Sequence, residues 1–397
     1  MKKTLIAVAA AAALTATSAF AEITFGAWLR TLTAPVASNG EDTVVGTANS
    51  WGWGARTARI DINGVSEDGK AGFAMNVFND MSMDISAGDR AVLWVKPVDM
   101  IKISVGKYDS PDNGLRGDFC YGSWNWLRPY NWSYDGEGLT FDGIWRKGMM
   151  IEADPIEGLH AFVVIPMEDA NADSYYKKAE DTYRNVQIGF GYAIDGVGKL
   201  KAQYIGDDSY TTDAEGDRDE TKTTGQIGVA FDLNAVENLC VTVGARFGIA
   251  DKDYAPYYLK MAFTAGASYQ VSDAMKFSVD GGYKQYQDKV VGKDGDKKDN
   301  EFFVGAGVDY TIMDGLNLAA DVRYKNIGYG KDKDDGAISF LVGVNKSVSS
   351  NGSLGVGFQG STNGCGFVQS NGKGLVAGGE DKDDFVWAIP VSVGVWF

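Results

Sequence analysis

Apolar residues recur at every second position through much of the chain. In the last segment Trp387, Ile389, Val391, Val393, Val395 and Phe397 alternate with Ala388, Pro390, Ser392, Gly394 and Trp396. Leu316, Leu318, Ala320, Val322 and Tyr324 alternate with Asn317, Ala319, Asp321, Arg323 and Lys325. The same period appears around Ile101 to Val105, Val241 to Ile249 and Phe277 to Tyr283. Successive residues of an extended strand face opposite sides of a sheet, so this period predicts strands with one apolar face and one polar or small face. The segments run to about ten residues, the length that crosses a bilayer as a tilted strand. A soluble sandwich shows the same alternation, so what joins the strands has to discriminate.

Short turns and longer connections alternate. Eight short turns are predicted: Ser66 to Gly69, Val98 to Met100, Pro155 to Gly158, Asp195 to Gly198, Ala235 to Asn238, Ser272 to Ala274, Met313 to Gly315 and Ser349 to Gly352. Many carry an acid or amide just before an apolar strand start, as in Val236-Glu237-Asn238-Leu239 and Met313-Asp314-Gly315-Leu316. Such side chains supply the local hydrogen bonds of tight turns. Between them lie longer polar stretches, including Thr33 to Gly54, Asp109 to Gly138, Glu168 to Asp181, Asp207 to Glu220 and Ser361 to Asp384. Short turns at one end and long loops at the other are the habit of outer-membrane barrels. The reading is all-β: a transmembrane, antiparallel, up-and-down β-barrel of about 18 strands. A count of 16 stays open, because Gly138 to Asp154 is ambiguous.

The N-terminus agrees with export. Lys2 and Lys3 precede an apolar run from Leu5 to Ala16, and Ala19-Phe20-Ala21 is a small-x-small cleavage site. Residues 1–21 read as a secretory signal peptide, leaving 22–397 as one barrel domain with no linker. Mean hydropathy is −0.18, which does not exclude a barrel, because its alternating strands dilute the signal. The chain has 51 Gly, 19 Tyr, 19 Phe and 10 Trp but only 8 Pro and one His. That mix suits strands, turns and interfacial aromatics. Net charge is −16, and −18 without Lys2 and Lys3, which argues against nucleic acid as a partner. The acidic runs Asp294 to Asp299 and Lys331 to Asp335 read as solvated surface, without the spacing of a calcium loop. Cys120, Cys240 and Cys365 are too few for a disulfide scaffold. Cys120 and Cys365 fall in predicted loops and could pair, with three unpaired thiols the equal alternative.

Charges place the polar face. Arg30, Arg59, Asp61, Lys102, Lys201, Arg246, Lys276, Asp280, Asp321 and Arg323 all fall on it by alternation. An Arg or Lys turned toward lipid costs about 2–4 kcal/mol at the midplane. Ten such residues belong on the inside, so the lumen is expected to be polar and hydrated, with more bases than acids. Gly189-Phe190-Gly191 and Gly305-Ala306-Gly307 fit tight inward faces, not phosphate loops, since no helix follows.

The terminal strand, ending in Phe397 with apolar residues at alternate positions back to Trp387, resembles that of bacterial outer-membrane porins. Their last strand ends in Phe and is what the barrel assembly machinery recognises, so the resemblance implies Phe397 as an assembly signal. In length and loop pattern the chain is similar to general and sugar-selective porins, and its Gly- and Tyr-rich strands are similar to those of spirochaete porins. The resemblance implies a passive, water-filled channel in the bacterial outer membrane, surrounded by lipid, passing ions and small hydrophilic solutes. A homotrimer is one oligomeric state it leaves open. In general porins the third loop folds into the barrel and narrows the pore. Asp109 to Gly138 resembles that loop in order and length, without a sequence signature. It carries Asp109, Asp112, Arg116, Asp118 and Arg128, with Trp124, Trp126, Tyr130, Trp132 and Tyr134 as an aromatic track for sugars. The expectation is a constriction of opposed charges; the competing reading is an external loop packed on the rim.

Other classes fare worse. An enzyme is not expected, and neither is a cofactor or metal: the single histidine, His160, has no partner motif and reads as structural or lumen-facing. A plugged transporter would need an N-terminal plug domain, but strand patterning starts at Ile23. The alternative kept is a non-channel surface barrel acting as an adhesin or antigen through its long loops.

Overall fold

The alternating segments become strands in the computed structural model, which describes residues 21–38, 43–49, 56–80, 85–108, 147–167, 185–207, 224–249, 259–286, 300–326, 336–362 and 385–397. The strands are β1 (Ala21–Ser38), β2 (Thr43–Asn49), β3 (Arg56–Ser66), β4 (Ala71–Asp80), β5 (Ile85–Val98), β6 (Ile101–Lys107), β7 (Lys147–Ile156), β8 (Leu159–Pro166), β9 (Gln187–Ile194) and β10 (Gly198–Asp207). The second half adds β11 (Thr224–Leu233), β12 (Leu239–Ile249), β13 (Leu259–Ser272), β14 (Met275–Tyr286), β15 (Glu301–Met313), β16 (Leu316–Lys325), β17 (Ala337–Ser349), β18 (Gly352–Ser361) and β19 (Val386–Trp396). Each barrel strand pairs antiparallel with its sequence neighbours, and β1 pairs with β19 to close the cylinder. The barrel has 18 strands, β1 and β3 to β19.

The nineteenth strand is a correction. Thr33 to Gly54 reads as a loop, yet β1 continues to Ser38 and β2 returns beside it, pairing Val36 with Val45 and Ala37 with Val44. β-branched residues at these positions favour extended backbone. The inner half of β1 pairs instead with β3, from Ala21↔Ser66 to Leu29↔Ala58.

An even strand number brings both ends of the barrel to the same rim. There the terminal residue is fixed to the first strand: Ala27 N–H donates to the Phe397 carbonyl at 3.1 Å, and Phe397 N–H to the Ala27 carbonyl at 2.7 Å. The eight short turns lie on this rim. Asn238 adopts φ 64° in the β11–β12 turn, a left-handed backbone that Asn tolerates better than most side chains. In the β3–β4 turn Asp68 accepts from Ser66 Oγ at 2.6 Å and from Lys70 N–H at 3.0 Å. These hydrogen bonds hold its carboxyl below the usual carboxylate range.

Burial is inverted relative to a soluble protein. Leu93 is 67% exposed, and Phe25, Val279, Val304 and Val342 are also open on the outer face, whereas Lys201 is 1% exposed and Gln359, Asp321 and Ser339 are buried within. An outer surface this apolar is stable only against hydrocarbon. Aromatics mark its height. Phe302 and Tyr310 stand eight positions apart on the outer face of β15, about 27 Å along the strand and roughly 20 Å in height at a ~40° tilt. Near the long-loop rim Phe340 stacks on Phe385 at 6.1 Å and Phe358 on Trp387 at 5.8 Å, amphipathic girdle chemistry at an interface.

Candidate functional site: the inner wall

Strand alternation that turns apolar side chains to lipid turns the others into the barrel, so the site is the wall itself. Arg59, Asp61, Lys102, Arg246, Asp280, Asp321 and Arg323 all take the inner face, with Lys201 and Lys276. Arg30 lies in β1 in register with Gly394; its side chain is outside the described residues. So are Asp109, Asp112, Arg116, Asp118, Trp124, Trp126 and Arg128.

The charges come as pairs between neighbouring strands. Lys102 Nζ meets Glu152 Oε2 at 2.6 Å across β6 and β7, where the two residues are in register. Lys201, buried on β10, meets Asp232 at 2.6 Å on β11. Lys276 and Asp309 are in register, with Nζ 3.7 Å from Oδ2. Lys325 meets Glu301 at 3.0 Å, and Tyr286 donates to the same carboxylate at 2.9 Å. On β3, Arg59 and Asp61 are two positions apart on one face and meet at 2.7 Å, with Phe78 of β4 beneath the guanidinium at 5.8 Å.

The tightest group spans three strands. Arg323 of β16 reaches over β15 to Asp280 of β14, donating from Nη1 at 2.9 and 2.8 Å, while its Nη2 is 3.4 Å from Asp321 Oδ1. The reach depends on Gly305. A Cβ there would sit 2.9 Å from Asp280 Oδ1 and 3.0 Å from Arg323 Nη1. Gly307 likewise makes room for Asp321. The inward glycine stripe expected on β15 is a trough for these side chains.

Sequence reasoning finds most of the bases and misses acids. Glu152, Asp232, Glu301 and Asp309 are the partners above, and they narrow the expected excess of bases. The signal was present for Asp232 and Asp309, which are in phase with their strands; Glu152 falls in the ambiguous segment.

Two stretches of the wall are apolar or neutral. On β5 to β8, Val92, Tyr108, Met150, Phe162 and Val164 form a buried apolar cluster. Tyr108 fixes it with its hydroxyl, donating to Gly148 O at 3.3 Å and accepting from Met150 N–H at 3.0 Å. The sign of this in sequence is Leu159 to Ile165, apolar on both faces, which implies burial on both. On β17 to β19 the inner face is small or neutral, with Ala337, Ser339, Leu341, Gln359, Ala388 and Ser392.

Cys240, inward on β12, is disulfide-bonded. Cys120 and Cys365, considered above as a pair, lie outside the described residues.

A closed barrel, apolar outside and polar within, with its short turns and both ends on one rim, defines a transmembrane pore of the outer-membrane kind. The chain belongs to the Gram-negative porin family, whose model matches residues 7–328. Among solved structures it is similar to an anion-selective porin from Comamonas acidovorans, at 15% identity and TM-score 0.50, covering 95% of this chain and all of that one. A Rhodopseudomonas blastica porin triple mutant matches at 15% identity and TM-score 0.49, covering 95% and 100%. A loop-deletion mutant of OmpT, an outer membrane protein of Vibrio cholerae, matches at 13% and 0.45, covering 95% and 99%. At such identities the likeness shows the fold alone. A comparison with curated proteins gives no match by sequence. The chain is a porin of the bacterial outer membrane, a channel for passive diffusion of ions and small hydrophilic solutes; the adhesin alternative gains no support.

Proposed function

We propose that the mature chain, residues 22–397 after removal of the signal peptide, conducts ions and small hydrophilic solutes down their gradients without catalysing any reaction, and that its selectivity is set where charges crowd the path. The observation that carries the reading is the inversion of burial: apolar side chains open on the outside of a closed barrel, and Lys201, Asp280, Asp321 and Arg323 held within it. Charged groups are tolerated there because the lumen holds water. Paired wall charges leave little net field far from the wall, since screening at moderate salt acts within about 8–10 Å.

The constriction is assigned to Asp109 to Gly138. This segment follows Tyr108 directly and β7 starts at Lys147, so the described strands on either side of it carry the apolar cluster of Tyr108 and Met150. Its tryptophans suit an apolar seat on the wall, which would hold its charges in the path. Neutralising Asp109, Asp112 and Asp118 together should move selectivity toward anions. Replacing Arg116 and Arg128 should move it toward cations. Reversal potential under a salt gradient reads both; no change in either variant would place the segment outside the pore. Phe397 is assigned to assembly through the barrel assembly machinery, and a homotrimer is the proposed oligomer.

A further inference from the structure

We propose that His160 is a selectivity-determining residue of the channel, one that makes its ion preference depend on pH at the short-turn mouth. It is the only histidine of the 397 residues, and histidine is the side chain whose charge changes between about pH 5 and 8. The second residue of β8, it faces inward at the rim that is periplasmic in outer-membrane barrels.

Its surroundings are carboxylates. Nδ1 lies 2.8 Å from Asp154 Oδ1, and Nε2 lies 4.0 Å from Glu152 Oε1. With Nδ1–H donated to Asp154, the neutral ring turns the lone pair of Nε2 toward a second carboxylate, and Nε2 makes no hydrogen bond. Proton uptake at Nε2 replaces that repulsion with an ion pair. Asp154 is 65% exposed and His160 24%. Asp154 therefore puts the group's charge at the aqueous mouth, while Nε2 of His160 is itself buried beside Glu152.

The charged neighbours can be named strand by strand. β7 contributes Glu152 and Asp154, and β6 contributes Lys102, bound to Glu152 at 2.6 Å. β9 presents Gly191, in register with His160 and without charge. Beyond that glycine, β10 presents Lys201, in register with Gly191 and tied to Asp232 of β11 at 2.6 Å, with Lys199 two positions away on the same face. Lys102, Glu152 and Asp154 sum to −1 with a neutral ring and to zero with a protonated one. Acidification therefore removes one net negative charge from the mouth, and preference for cations should fall.

The test is reversal potential across a planar bilayer under a KCl gradient, at pH 8 and pH 5.5, with the full mature chain. On acidification the wild type's cation-to-anion permeability ratio should fall by about two- to threefold, the weight of one unit charge seen across several ångströms of water. His160→Gln should give one ratio at both pH values, and His160→Lys should hold the low-pH ratio throughout. A wild-type ratio that does not move with pH would overturn the proposal. So would a response that survives in His160→Gln, or a His160→Lys channel that keeps the high-pH ratio. Channels that conduct but ignore pH would sink this inference alone; a bilayer with no conductance steps would sink the pore itself.

Discussion

Arg323 carries more than any other single side chain of the wall. It serves two carboxylates, Asp280 and Asp321, whose side chains are 2% and 1% exposed. Truncating it leaves two buried acids without their cation, which costs more than losing the pair as a unit. Arg323→Ala should lower unfolding stability by about 2–4 kcal/mol, somewhat below the cost of breaking a fully dry ion pair. Adding Asp280→Asn and Asp321→Asn should restore at least half of it. Urea unfolding in lipid vesicles measures both, and an Arg323→Ala barrel as stable as wild type would contradict the account. All three residues are legible in the sequence from strand phase alone. Their contact is not, because it needs the register of three strands and the absence of a Cβ at Gly305. Glu152 escapes because its segment is ambiguous in phase, whereas Asp309 is in phase and only its partner needs the register.

Among elements, the closing strand is the one on which the others depend. β19 pairs with β18 on one side and β1 on the other, so its loss would leave two open edges in lipid, which hydrocarbon does not tolerate. Deleting Phe397 removes both terminal hydrogen bonds to Ala27. Surface levels of the deletion protein should fall several-fold; wild-type levels would refute the assembly role. The turns allow a test of sidedness. A protease site inserted at Met313 to Gly315 should be protected on intact cells, and one inserted at Ser361 to Gly366 should be cut. The opposite pattern would reverse the orientation of the barrel. All eight short turns were legible, because Gly, Asn and Asp mark where the backbone must reverse. β2 was not, since Thr43 to Asn49 is short and lies in a polar context, and only pairing with the far end of β1 makes it a strand. The apolar cluster on β5 to β8 shows in the sequence only at Leu159 to Ile165, because alternation otherwise treats every inward position as wet.

For the whole molecule, the inversion of polarity decides the class. An apolar outer face, aromatics at both margins and a closed ring of strands require a bilayer; a wall carrying Lys201, Arg323 and their carboxylates requires water inside it. Charge pairs on β3, β6 and β7 and β10 to β16, against a neutral face on β17 to β19, make the path asymmetric around its axis. A solute with charge on one side and none on the other could align to it. The chain's net charge of −16 should matter less to selectivity than the few groups near the path, because screening confines each to its neighbourhood. The central claim is that this lumen is open to water from end to end. Single-channel recording of the purified mature chain in a planar bilayer tests it most directly. The account predicts discrete, ohmic current steps whose size rises nearly in proportion to bulk salt. A barrel that inserts fully and yields no steps at any salt concentration would contradict it.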